Sequence, residues 1–131
     1  MSRQVFINLP VADIKKSRSF FAGLGFAFNE QFSDDSSACM IVSETTFVQL
    51  LAREKFQTFT PKPVGDAHKS SEVLLCLSCD SREQLEAMVR KAVAVGGSTF
   101  KNAQDHGFMV HHAFQDPDGH IWELIHWTGD A

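Results

Sequence analysis

Glu123 lies in the middle of an apolar run, Ile121-Trp122-Glu123-Leu124-Ile125, directly after the turn sequence Asp116-Pro117-Asp118-Gly119-His120. Strand alternation puts Trp122 and Leu124 on one face and Ile121, Glu123 and Ile125 on the other. An unpaired carboxylate on such a strand is costly or takes up a proton. Glu123 therefore needs a metal, a cation, a hydrogen-bond donor, a proton or access to water. The turn before it has its own chemistry: Pro117 presets φ, the Asp side chains can bond nearby backbone, and Gly119 supplies a positive φ. His111 and His112 are adjacent on a second strand-like run, so one ring projects to each side of the sheet. Cys76-Leu77-Ser78-Cys79 has the CxxC spacing of thiol redox motifs and half zinc sites. On a strand, however, a separation of three sends the two thiols to opposite faces, with Cys79 in the core. Cys39 reads as packing, and His106, His120 and His126 as structural or solvent-facing.

The bulk properties narrow the function classes. A chain of 131 residues, 44% hydrophobic and 21% charged, has the make-up of one ordinary soluble domain. No apolar run approaches the roughly 18 residues of a membrane span, and the N-terminus lacks a signal-peptide core, so the expectation is a cytoplasmic protein with no membrane partner. The net charge is −4, and apart from Lys15, Lys16 and Arg18 the basic residues are scattered. No basic stripe exists to neutralise phosphates, which argues against nucleic acid. Three cysteines do not make a disulfide framework. With no Tyr and 12 Phe, rings without hydroxyls must line the core or a pocket.

One pattern of elements occurs twice. Residues 4–11 alternate as a strand, Asp13 is placed to cap a helix over 14–24, and strand candidates follow at 26–32, 38–43 and 46–52. Residues 72–79 read as a strand. Ser81 and Gln84 form a capping-box pattern before a stripe of Leu85, Met88, Val89, Ala92 and Val93, which ends at Gly96-Gly97. Strand candidates follow at 98–101, 108–115 and 120–127. The chain is thus expected to be a single domain, 1–131, of two strand–helix–strand–strand–strand modules at about 4–53 and 72–128. The segment 54–71, with Pro61, Pro63 and Gly65, reads as their connector, and Ser33 to Ser37 as a polar hairpin turn.

INLPVADIKKSRSFFAGLGF and FQDPDGHIWELIHW, with ACMIVSE, VQLL and GFM between them, resemble the vicinal oxygen chelate superfamily. That superfamily includes glyoxalase I, bleomycin-resistance proteins and extradiol dioxygenases. The nearest resemblance is to the glyoxalase-like branch labelled predicted lactoylglutathione lyase. It implies an α+β fold in which paired βαβββ modules form a curled mixed sheet around a ligand cleft, often completed in a homodimer.

Catalytic members hold a divalent metal with one residue from each of four strands. By motif, those positions fall here on Phe6, Gln49, Leu74 and Glu123. Phe and Leu donate no electron pair and Gln is a weak neutral ligand, so the ordinary metal set is expected to be missing. If Phe114 points at the helix layer, His111 faces the cleft and can meet Glu123, either as a metal ligand or as a hydrogen-bonded acid–base pair. Strand parity puts Asn8 on the same face as Phe6, and Cys76 and Ser78 also face the cleft. Two readings follow. The first is a protein that binds a small molecule through Phe6, Asn8, Gln49, Leu74, Cys76, His111 and Glu123 without cofactor, in ligand sequestration or resistance. The second is a glyoxalase I-type lyase or isomerase with Glu123 as the catalytic carboxylate. There Glu123, Gln49 and His111 would hold Zn, Ni, Co or Mn.

Overall fold

The structure is a computed structural model that describes residues 2–129. The chain divides into two compact units, Met1–Gly65 and Asp66–Ala131. Each is a βαβββ module with a four-stranded mixed sheet.

The first unit contains β1 (Val5–Val11), α1 (Ile14–Gly23), β2 (Ala27–Asp34), β3 (Ser37–Ile41), β4 (Thr46–Ala52) and α2 (Arg53–Gln57). Its strand order is β1-β4-β3-β2, with β1 parallel to β4 and the other pairs antiparallel. The Asp13 carboxylate accepts the Lys16 amide at 3.1 Å and caps α1. At the other end the backbone turns at Gly25, φ 102°, and the Phe26 amide closes on the Phe21 carbonyl at 3.1 Å. Helix α1 buries Ser17, Phe20 and Phe21 over the sheet face that carries Leu9, Val48, Leu50 and Met40. Burying a side chain such as Phe21 contributes roughly 1.5–3 kcal/mol. The hairpin turn between β2 and β3 is closed by Asp34, whose carboxylate accepts from the Ser36 amide at 2.8 Å and from the hydroxyls of Ser36 and Ser37.

The second unit contains β5 (Leu74–Ser78), α3 (Arg82–Ala94), β6 (Gln104–Asp105), β7 (Met109–Gln115) and β8 (Ile121–Trp127), in the order β5-β8-β7-β6. Ser81 Oγ accepts the Gln84 amide at 3.0 Å, and Gln84 Oε1 accepts the Asp80 amide at 2.6 Å. The expected capping box is present, its return bond reaching one residue before the cap. Leu85, Val89 and Ala92 are buried, as expected of the helical stripe, but Val93 is exposed. At about 100° per residue Val93 lies roughly 80° round from Leu85, on the shoulder of the stripe. The face under α3 carries Trp122, Leu124, Val110 and Phe114, and the rings of Phe114 and Trp122 stack at 6.3 Å.

Two expected elements differ. Residues 98–101 are not a strand. Ser98 makes an isolated bridge to Gln115, and then the Thr99 hydroxyl, not backbone, bonds the Ala113 carbonyl at 2.7 Å. That side-chain bond lifts the chain off the ladder, and pairing with β7 resumes only at Gln104–Asp105. The connector is also less irregular than expected, because residues 53–57 form α2. The Arg53 guanidinium donates to the carbonyls of Val64 and Gly65, and Gln57 Nε2 donates to those of Thr60 and Lys62. These bonds tie the helix to the turns that follow it. Among the described residues, no helix is long and apolar enough to cross a membrane.

Candidate functional site

The turn before β8 is built around Asp116, which is 3% exposed. Its Oδ1 accepts the amides of Asp118 at 2.9 Å and His120 at 3.0 Å, and its Oδ2 accepts Trp122 Nε1 at 3.1 Å. Burial raises the Asp116 carboxyl above its ordinary range, while His120 and the Trp122 bond act the other way. Gly119 follows at φ 90°, and a Cβ there would lie 2.8 Å from the His68 amide nitrogen. Only glycine fits both that backbone conformation and that approach. One carboxylate thus joins the turn to the indole in the core, and this fixes which residues of β8 face inward.

With Trp122 and Leu124 inward, Glu123 comes to the face that α3 does not cover. There His111 Nε2 lies 3.0 Å from Glu123 Oε2, with the two side chains 14% and 24% exposed. Ala113 is the Cα partner of Glu123, and His111 that of Ile125, so histidine and carboxylate meet diagonally across the antiparallel pair. The structure therefore brings His111 to Glu123, as strand parity anticipates. It also supplies a residue that the sequence reading missed: Lys101 Nζ lies 3.4 Å from His111 Nδ1.

On the other side of Glu123, Cys76 is its Cα partner in β5 and is exposed, while Cys79 is buried. Loss of solvent, and after it the Glu123 charge, push the Cys76 thiol up. Leu74, two residues before, is 53% exposed. At the far end of the same face Trp127 stacks on Phe108 with ring centres 6.0 Å apart. His112 points the opposite way, toward the helix side, where its Nδ1 accepts the Ala113 amide at 2.9 Å. Burial and the Lys101 charge hold its imidazole below the ordinary value. His126 is structural, bonded through Nδ1 to the Cys79 carbonyl at 3.0 Å.

The first unit has a corresponding face. Asn8 and Gln49 are Cα partners across β1 and β4, next to the stacked rings of Phe6 and Phe47 at 5.0 Å. Gln49 Oε1 is buried with no hydrogen-bond partner among the described residues, which costs about 1–3 kcal/mol. Cys39, the partner of Gln49 on β3, is fully buried. A separate depression of about 470 Å³ is lined by Arg53, Glu54, Gln57, Pro63 and Val64, and none of the expected binding residues borders it.

The donor set does not fit a resident metal. Phe6 and Leu74 offer no lone pair, Gln49 offers a neutral amide, and one Glu123 oxygen is already bonded to His111. Among the described residues, no group of three or more His, Cys, Asp or Glu side chains is placed to hold one ion. Divalent metals need several such donors together.

The family model described as "Bleomycin resistance protein-like N-terminal" matches residues 3–43. No curated protein matches the chain. Among solved structures, a hypothetical protein from S. aureus is similar at TM-score 0.81 and 24% identity, over 95% of this chain and 94% of that one. A glyoxalase-related enzyme from Fulvimarina pelagi is similar at TM-score 0.81 and 20% identity, over 96% and 88%. A lactoylglutathione lyase from Agrobacterium tumefaciens is similar at TM-score 0.69 and 10% identity, over 96% and 94%.

Proposed function

We propose that this chain, whose fold is shared with a glyoxalase-related enzyme and whose residues 3–43 match a bleomycin-resistance-protein-like model, is a member of the vicinal oxygen chelate superfamily that binds a small, partly apolar molecule on the sheet faces turned away from α1 and α3, without a resident metal. The observation that carries this reading is the 3.0 Å bond from His111 to Glu123. The carboxylate that a metal would need is bonded to an imidazole instead. Leu74, two residues before Cys76 on β5, adds apolar carbon to the same face in the second unit, and Phe6 with the amides of Asn8 and Gln49 offers similar chemistry in the first. Few polar groups on an apolar wall are the ordinary make-up of a small-molecule site. Such a protein acts by sequestering its ligand, as a resistance protein does. We take residues 1–131 as one working domain of a cytoplasmic homodimer.

The alternative is a glyoxalase I-type lyase in which Glu123, Gln49 and His111 hold Zn, Ni, Co or Mn. The chemistry of the donors argues against it, because a single carboxylate would supply the only anionic oxygen.

Metal analysis of protein purified without a histidine tag separates the two readings, together with thermal shifts on adding Ni²⁺, Zn²⁺, Co²⁺ or Mn²⁺. The binding reading expects no stoichiometric metal and no ion-specific shift. A library of small aromatic and aliphatic fragments should move backbone amide resonances of β5, β7 and β8, less so in Glu123→Ala. Stoichiometric metal that is lost in Glu123→Ala would overturn the reading, as would fragments that leave those strands unperturbed.

A further inference from the structure

Lys101 stands 3.4 Å from one nitrogen of His111 and Glu123 stands 3.0 Å from the other. An ammonium group can only donate and a carboxylate can only accept. In a row of ammonium, imidazole and carboxylate, the imidazole must therefore accept at the Lys101 end and donate at the Glu123 end. We propose that Lys101 is a positioning residue that holds His111 as the Nε2–H tautomer, and that Glu123 is thereby presented as an acceptor-only carboxylate whose ligand partner is a hydrogen-bond donor: an amine, hydroxyl or amide N–H.

The surroundings agree with that polarity. His111 Nε2 is bonded to Glu123 Oε2, so the second oxygen of the carboxylate remains for a ligand. The neighbours of Glu123 on the same face, Ala113, Ile125 and Cys76, bring no charge, and a thiol pushed up by its surroundings stays protonated. Lys101 is itself held in place, its ammonium 5.7 Å from the centre of the Phe100 ring, on a segment that the Thr99 hydroxyl fastens to the Ala113 carbonyl. The reversed tautomer would set Nδ1–H against the N–H groups of the ammonium and the bare Nε2 against the carboxylate oxygens, donor facing donor and acceptor facing acceptor.

This inference rests on the binding reading for the identity of the site, but its test is separate. Long-range ¹⁵N–¹H correlation of the imidazoles is measured in the full chain, with the His111 signals assigned by their loss in His111→Gln. Wild type is expected to show a protonated Nε2 and an unprotonated, hydrogen-bonded Nδ1. Lys101→Met should shift the Nδ1 resonance or mix the tautomers, and Lys101→Arg should restore the wild-type pattern. A lysine that only packs would leave these nitrogens unchanged. Wild type with Nδ1 protonated, or a Lys101→Met spectrum identical to wild type, overturns the proposal.

The ligand polarity is read with benzylamine, benzyl alcohol and benzoate as probes. Benzylammonium and benzyl alcohol should perturb the amides of Cys76 and Ala113, with apparent affinity falling about tenfold or more in Glu123→Gln. Perturbation by benzoate alone overturns the polarity and leaves the binding reading standing. If none of the probes or fragments binds, the binding reading falls, and the tautomer measurement still decides the role of Lys101.

Discussion

Cys76 and Glu123 face one another as Cα partners across the parallel pair of β5 and β8. A thiolate at that place would sit beside a carboxylate, and the thiol is pushed up accordingly, first by loss of solvent and then by that charge. Cys76 is exposed, yet it is a poor nucleophile, because the thiolate is the reacting form. Iodoacetamide should alkylate Cys76 more slowly than a free cysteine at mildly alkaline pH, and Glu123→Gln should raise that rate about two- to fivefold. Mass spectrometry of the labelled peptide checks both. An unchanged rate in the variant would mean that the two side chains do not share the face as described.

His112 gives the fold a pH dependence whose sign can be stated. Its folded value lies below 6.5 because it is buried and Lys101 and His111 lie close by, with Glu86 acting the other way. Between the folded value and 6.5 the unfolded chain binds more protons, so stability rises with pH through that window and is lost as pH falls through it. Protonation of Nδ1 would also break its bond from the Ala113 amide. Denaturant unfolding measured from about pH 5 to pH 8 should show this slope, and His112→Gln should flatten it.

Asp116 and Gly119 predict a stability cost at the turn. Asp116→Ala removes the acceptor of two amides and the Trp122 indole, and should lower unfolding free energy by about 2–4 kcal/mol. Gly119→Ala forces a side chain into positive φ against the His68 backbone, and should cost about 1–3 kcal/mol. Thermal and denaturant melts test both, and a loss below half a kcal/mol in Asp116→Ala would contradict the buried network.

Gln49 predicts the opposite sign. Its buried Oε1 lacks a partner among the described residues, so Gln49→Met, close in shape and without the amide, should stabilise the fold by about 1 kcal/mol. A destabilisation of that size would reveal a partner for the amide. If stability rises while fragment binding weakens, the residue is kept for a ligand at the expense of the fold.

The residues of the site were legible to different degrees. That Glu123 is turned away from the core follows from Trp122 and Leu124 on either side of it, because the strand period is two. The side of His111 follows in the same way from Phe114, which is buried against Trp122. Lys101 was not legible, since it lies on a segment that reads as a strand and is held off the ladder by the Thr99 hydroxyl. Its link to His111 depends on the reach of a long flexible side chain, which no periodicity encodes. Helix α2 escaped for a related reason: five residues are too few to show a helical stripe, and distant carbonyls bonded by Arg53 and Gln57 hold its end.

The two tryptophans occupy opposite optical environments. Trp122 has no exposed surface, and its nitrogen is bonded to Asp116, so it emits toward the blue whatever reaches the protein from outside. Trp127 is 51% exposed beside Phe108, and shares by strand alternation the side of Glu123, so its emission lies toward the red. A molecule that settles on that face and extends from the carboxylate to the Trp127 ring should quench or shift only the red component, and the chain then carries its own fluorescent gauge of occupancy.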